Sequence, residues 1–148
     1  MNPLLAFLCS LLLFADAPVA DLPRVTHFQA PRYPEVAWQS KVHGKVTLKI
    51  LVHKDGRFAF AEDPAGPPAL VSAAKENLCS WTFAANDAEQ PLPLTVEYEY
   101  RIDKTRASAQ LNAQVTYDFP NHVSITAPEY SPTCTCVKKK SKWRLWGN

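Results

Sequence analysis

Pro31-Arg32-Tyr33-Pro34-Glu35-Val36-Ala37, and after it Gly44-Lys45-Val46-Thr47-Leu48, reads as a short helix led in by prolines, a stop at glycine and then an alternating strand. Proline suits the first helical turn, because the N–H it lacks would have no partner there and its φ is already helical. Val36, Ala37 and Ser40 fall near one another on one face of such a helix. Residues 45–53 alternate with period two, with Val46, Leu48, Ile50 and Val52 to one side and Lys45, Thr47 and Lys49 to the other. Only Leu51 breaks the polar face.

Working outward, Lys54-Asp55-Gly56 is a turn signal, since Asp-Gly supplies the positive φ of a tight hairpin. Residues 57–62 continue as a second strand, with Phe58 and Phe60 to one face. Gly66-Pro67-Pro68 interrupts and opens a second helix, in which Leu70, Ala74, Leu78 and Trp81 recur at helical spacing. A polar loop runs through Gln90. Beyond it, Leu94, Val96, Tyr98, Tyr100 and Ile102 alternate with Thr95, Glu97, Glu99 and Arg101, the cleanest strand in the sequence. Lys45 and Lys49 on one strand and Glu97 and Glu99 on the other predict antiparallel neighbours, each opposite-charge pair contributing a few tenths of a kcal/mol. The same charges also serve simply to keep two solvated faces soluble. Residues 21–30 lack periodicity and read as an extended lead-in. Further on, Val115, Tyr117 and Phe119 alternate, Pro120-Asn121-His122 turns, and Val123-Ser124-Ile125 follows, which predicts an added hairpin.

The chain has 148 residues, 47% hydrophobic and 20% charged, which suits one globular domain. Its net charge is +2, and setting aside Lys138, Lys139, Lys140, Lys142 and Arg144 leaves −3 for all that precedes them. A body without a basic excess argues against nucleic acid as the main partner. Residues 1–20 begin with an apolar run, Pro3 to Ala15, interrupted only by Ser10. Such a run is short of the roughly 20 apolar residues of a membrane span and fits the core of a signal peptide, with a short anchor as the alternative. Export would leave Cys79, Cys134 and Cys136 in an oxidising compartment, where a disulfide from Cys79 on the outer face of the second helix to Cys134 or Cys136 is expected. Cys134-Thr135-Cys136 has no second pair and no histidine at zinc spacing, so no metal site is expected. The basic end carries Trp143 and Trp146. That mixture suits an anionic membrane surface or a cell-wall polymer, set against a plain solvated tail.

Catalysis finds little support. His27, His43, His53 and His122 are scattered, and the sequence holds no Gly-x-Ser-x-Gly, no His-Glu-x-x-His and no glycine-rich phosphate loop. A binding protein without a cofactor is the expectation.

The order of helix, hairpin, helix and strand carries Pro31, Tyr33 and Pro34 at its start and Gly44 and Val46 opening the first strand. Asp55 and Gly56 mark the hairpin, and Trp81 and Phe83 close the second helix. This arrangement resembles the C-terminal domain of the TonB family over residues 31–103, leaving residues 104–148 as an extension with a hairpin and a basic tail. The resemblance implies an α+β fold, a three-stranded antiparallel sheet packed on two helices. It also implies a periplasmic module that binds a protein partner, such as an outer-membrane transporter, in energy-coupled transport. In the family the last strand takes up the partner's segment by strand addition, which carries over to Leu94, Thr95, Val96, Glu97, Tyr98, Glu99, Tyr100 and Arg101. The region around Tyr33 and Pro34 is implied as a second contact zone. Ala30 stands where that motif usually has Gln. About ten residues between leader and domain reach about 35 Å when extended, too little to cross a periplasm. A standalone envelope interaction or structural domain without an energy-transducing role is therefore the alternative. If the added hairpin paired with the open sheet edge, it would occupy the partner site.

Overall fold

A computed structural model describes residues 22–132. In chain order the elements are β1 (Val25–His27), α1 (Glu35–Gln39), β2 (Gly44–Val52), β3 (Phe58–Phe60), α2 (Pro68–Leu78), β4 (Thr82–Phe83), β5 (Leu92–Ser108), β6 (Gln114–Asp118) and β7 (His122–Tyr130). The two strongest alternations form the centre. β2 turns Val46, Leu48, Ile50 and Val52 inward, and β5 turns Leu94, Val96, Tyr98 and Tyr100 the same way. The two strands are antiparallel neighbours, as the charges predict, with Lys45 opposite Glu99. The register places Thr47 opposite Glu97 and Thr95 opposite Lys49. Lys49 finds its anion elsewhere, on Glu62 at 2.8 Å.

Helix α2 lays Leu70, Ala74 and Leu78 on this apolar face, with Trp81 just beyond its end. Helix α1 starts after Pro34, as expected, but its buried face is Ala37 and Trp38; Val36 is 75% exposed. The hairpin between β2 and β3 turns at Gly56, whose φ is +81° and whose missing Cβ would run into the carbonyl oxygen of Phe83. Glycine is therefore required there on two counts.

The sheet departs from the expected three antiparallel strands. It has five, in the order β3-β2-β5-β7-β6, and β7 lies parallel to β5. The hairpin predicted in residues 114–125 forms, and it joins the domain. The physical reason is that β7 repeats the alternation of β5: Val123, Ile125 and Ala127 are opposite Tyr98, Tyr100 and Ile102 and extend the same apolar face. Burying Val123 and Ile125 contributes about 1.5–3 kcal/mol each, so the hairpin is part of the core. A separate two-stranded sheet of β1 and β4 closes the lower end of the core with Phe83. Its strands are too short to show a period in the sequence.

Candidate protein-interaction surface

The residues expected to meet a partner fall into three groups. Tyr33 is 2% exposed; its hydroxyl donates to the Val42 carbonyl at 2.7 Å, and its ring stands edge-on to Tyr100. Burial raises its phenol to about 12. Pro34 caps α1 and accepts the Trp38 amide through its carbonyl oxygen. Tyr33 is thus a core residue, and Pro34, half-buried, marks the start of the helix. Leu94, Val96, Tyr98 and Tyr100 are also core residues. Thr95, Glu97, Glu99 and Arg101 lie on the opposite, helix-free face, where Thr95 and Arg101 are exposed and both glutamates half-buried.

The edge on which these eight residues were expected to receive a partner is not open along most of its length. From Glu97 to Asp103, β5 is paired on one side with β7, and the Glu97 amide donates to the Asn121 carbonyl at 2.7 Å. Within residues 92–103, those from 92 to 96 lack a neighbour on that side. The hairpin therefore sits where strand addition to β5 would occur.

Two polar clusters brace this arrangement. The Glu99 carboxylate receives Arg101 at 2.6 Å and lies 3.5 Å from His122. The Arg101 hydrogen bond, with the charges of Arg101 and Lys45 nearby, holds Glu99 below the usual carboxylate range. On the other face Asn77 is a hub. Its side-chain oxygen accepts from Tyr98 at 3.0 Å and from Trp81 at 3.1 Å, while its amide donates to the Gln29 carbonyl at 2.9 Å. That last bond fastens the lead-in to α2.

The outer margin of the sheet is β6. Gln114, Thr116 and Asp118 are exposed on the helix-free face, and Val115 and Tyr117 are half-buried on the core face. Among the described residues its backbone pairs with β7 alone. Beside it runs a groove of about 680 Å³ between the lead-in, α2 and β6, lined by Ala30, Pro31, Arg32, Glu76 and Val115 among others. At the β6–β7 turn, Phe28 packs against Tyr117 and Phe119 with ring centroids 5.0 and 4.6 Å apart. With the hairpin in place, the motif segment thus borders β6. Sequence reading missed Trp38, which a lone aromatic in a short helix did not signal, and the β1–β4 pair.

Cys79 is exposed at the end of α2, as expected. Cys134 and Cys136, the leader and the basic tail lie outside the described residues. Among the described residues, no three His, Cys, Asp or Glu side chains gather to hold a metal ion, and no helix is long and apolar enough to cross a membrane.

Two helices lie on one face of the sheet, and among the described residues its outer strand β6 is paired on one side only. Residues 29–103, just over half of the chain, match the family described as Gram-negative bacterial TonB protein C-terminal. The chain belongs to that family, whose domains are protein-interaction modules of the Gram-negative envelope. No curated protein matches the chain.

Proposed function

We propose that this protein is a non-catalytic, exported envelope module that binds an extended segment of a protein partner by strand addition, at the outer margin β6. One observation carries the reading: β7 fills the β5 side, so the margin beside the motif segment Ala30-Pro31-Arg32 is now β6. Backbone N–H and C=O groups of an edge strand supply affinity, and pockets for alternate side chains supply selectivity. Displacing β7 instead would expose Val123 and Ile125, at about 1.5–3 kcal/mol each, before any gain from the partner. The family favours a partner in energy-coupled transport across the outer membrane. A second reading, a standalone envelope interaction domain with no energy-transducing role, is favoured by the occupied β5 edge.

A photoreactive side chain at Thr116, compared with one at Thr95, tests both. Adducts from position 116 support strand addition at β6, and adducts from position 95 alone overturn that placement. An outer-membrane transporter among the adducts supports the transport reading; other envelope proteins in its place support the standalone one. No adduct from either position removes the binding role.

A further inference from the structure

Large exposed apolar side chains are gathered on this domain rather than scattered. Of the five among the described residues, Leu22, Phe28 and Phe119, which are 56%, 39% and 40% exposed, line one pocket of about 320 Å³, whose wall Pro23, Val25 and Pro120 complete. The other two stand singly: Phe60 lies under the Lys75 ammonium, 5.1 Å from its ring centroid, and Val36 points outward from α1. Single apolar residues are ordinary on a protein surface, whereas several converging on one hollow mark a docking place. The aromatic wall is fixed in advance, because Phe28 is wedged against Tyr117 and Phe119, and Phe119 packs on Trp81 with centroids 5.4 Å apart. Little ordering is then left for a ligand to impose. Every lining residue lies outside the matched residues 29–103: the lead-in supplies one side and the β6–β7 turn the other. The pocket is nevertheless continuous with the strand-addition margin. Phe119 directly follows Asp118, the last residue of β6, and Phe28 directly precedes Gln29, which lines the groove beside that strand.

We propose that this pocket seats one large apolar side chain, aromatic or leucine-like, of the partner whose extended segment adds to β6, at the end of that segment beside Phe119. The proposal rests on the strand-addition reading above and names the residue class that the partner must carry. The volume is near the lower limit of ligand pockets, about 300 Å³, which suits an anchoring side chain and not a second length of strand. Backbone pairing along β6 is nearly indifferent to the partner's sequence, so it supplies affinity without choice. A hydrophobic socket just past the end of the strand supplies choice, because a partner with a polar residue there leaves the socket unfilled.

Selection of displayed random peptides on the purified full chain tests the anchor. The recovered peptides are expected to carry an alternating stretch flanked at one end by Phe, Trp, Leu or Met. Replacing that flanking residue by Ser should weaken binding to the wild type about ten- to a hundredfold, the effect of one buried apolar side chain. The same replacement should change binding to Leu22→Asp, which sets a charge in the pocket, by no more than about twofold. Leu22 is the most exposed of the three large side chains, so this variant should fold; Phe119→Ala is the second variant, and circular dichroism checks both. Peptides without a flanking apolar residue, or an equal loss in the wild type and both variants, overturn the proposal and leave the pocket to a second copy or to another part of this chain. Recovery of no peptide overturns both readings. A photoreactive side chain at position 116 separates them: peptides that label there but ignore the pocket remove only the anchor, and peptides that need the pocket but do not label there remove strand addition at β6.

Discussion

The indole Nε1 of Trp38 donates to the carbonyl oxygen of Pro128 at 2.6 Å, fastening the first helix to the last strand across the core. The Trp38 ring also meets Tyr130 edge-on, with centroids 4.9 Å apart. Trp38→Phe keeps an aromatic ring but leaves the Pro128 carbonyl without this donor, an expected loss of about 1–3 kcal/mol in urea unfolding. Amides of β7 should exchange with solvent faster in this variant. Unchanged stability and exchange would show that the hairpin is held without this bond.

Asn77 serves three partners at once, so its removal should cost more than one hydrogen bond. Asn77→Ala strands the Tyr98 hydroxyl and the Trp81 N–H in the core, with an expected loss of about 2–4 kcal/mol. Asn77→Asp keeps the acceptor and loses only the donor to Gln29, and should fall between the two. Equal losses for both variants would place the energy in the lead-in contact alone.

The depressed carboxyl of Glu99 gives an acid-side prediction. A carboxylate held below its ordinary range contributes stability that is present above its unfolded pKa and is lost as pH falls through the folded value. Arg101 is the leading cause of the depression. NMR titration of Arg101→Ala should therefore move Glu99 up toward the ordinary carboxylate range. The acid end of the stability profile should flatten with it.

Tyr33 gives the alkaline counterpart. Its phenol titrates at about 12 in the folded protein, against about 10 in an unfolded chain. Its contribution is thus complete below about pH 10 and disappears as pH rises toward the folded value. Tyr98 and Tyr100, whose phenols burial also raises, steepen the same slope. Tyr33→Phe should shallow it, while costing about 1 kcal/mol at neutral pH through the lost bond to Val42. An identical slope in the variant would leave the other two tyrosines responsible.

The cysteines give a redox prediction. Cys79 is exposed at the end of α2, and a bridge from it to Cys134 or Cys136 would stabilise by about 2–4 kcal/mol. Non-reducing peptide mapping should find Cys79 joined to one of the two, with the other alkylatable. Three alkylatable thiols would remove the bridge.

The strands with a full period were legible because burial on one face leaves a record at every second residue. That covered β2, most of β5 and the hairpin, and the opposed charges of Lys45 and Glu99 gave their pairing. Three things left no such record. The β1–β4 pair is too short. β5 runs on past Ile102 through Lys104 and Arg106, which show no apolar period, and its pairing with β7 skips residues 104–106 and resumes at Ala107. Most consequential is the placement of β7, because its alternation fits either direction of pairing and the crossover through β6 sets the parallel one. The expected docking residues Leu94 to Arg101 were therefore assigned to a margin that the chain itself occupies.

That parallel pairing also decides where the described chain enters and leaves. Leu22 lines the same pocket as Phe119 and Pro120, at the end where β7 begins, and Tyr130 emerges beside Trp38 at the other. The nine residues of β7 separate these poles by about 26 Å. An antiparallel β7 would have brought both to one side. As built, the domain is a strut whose described ends, at residues 22 and 132, stand at opposite poles of the sheet.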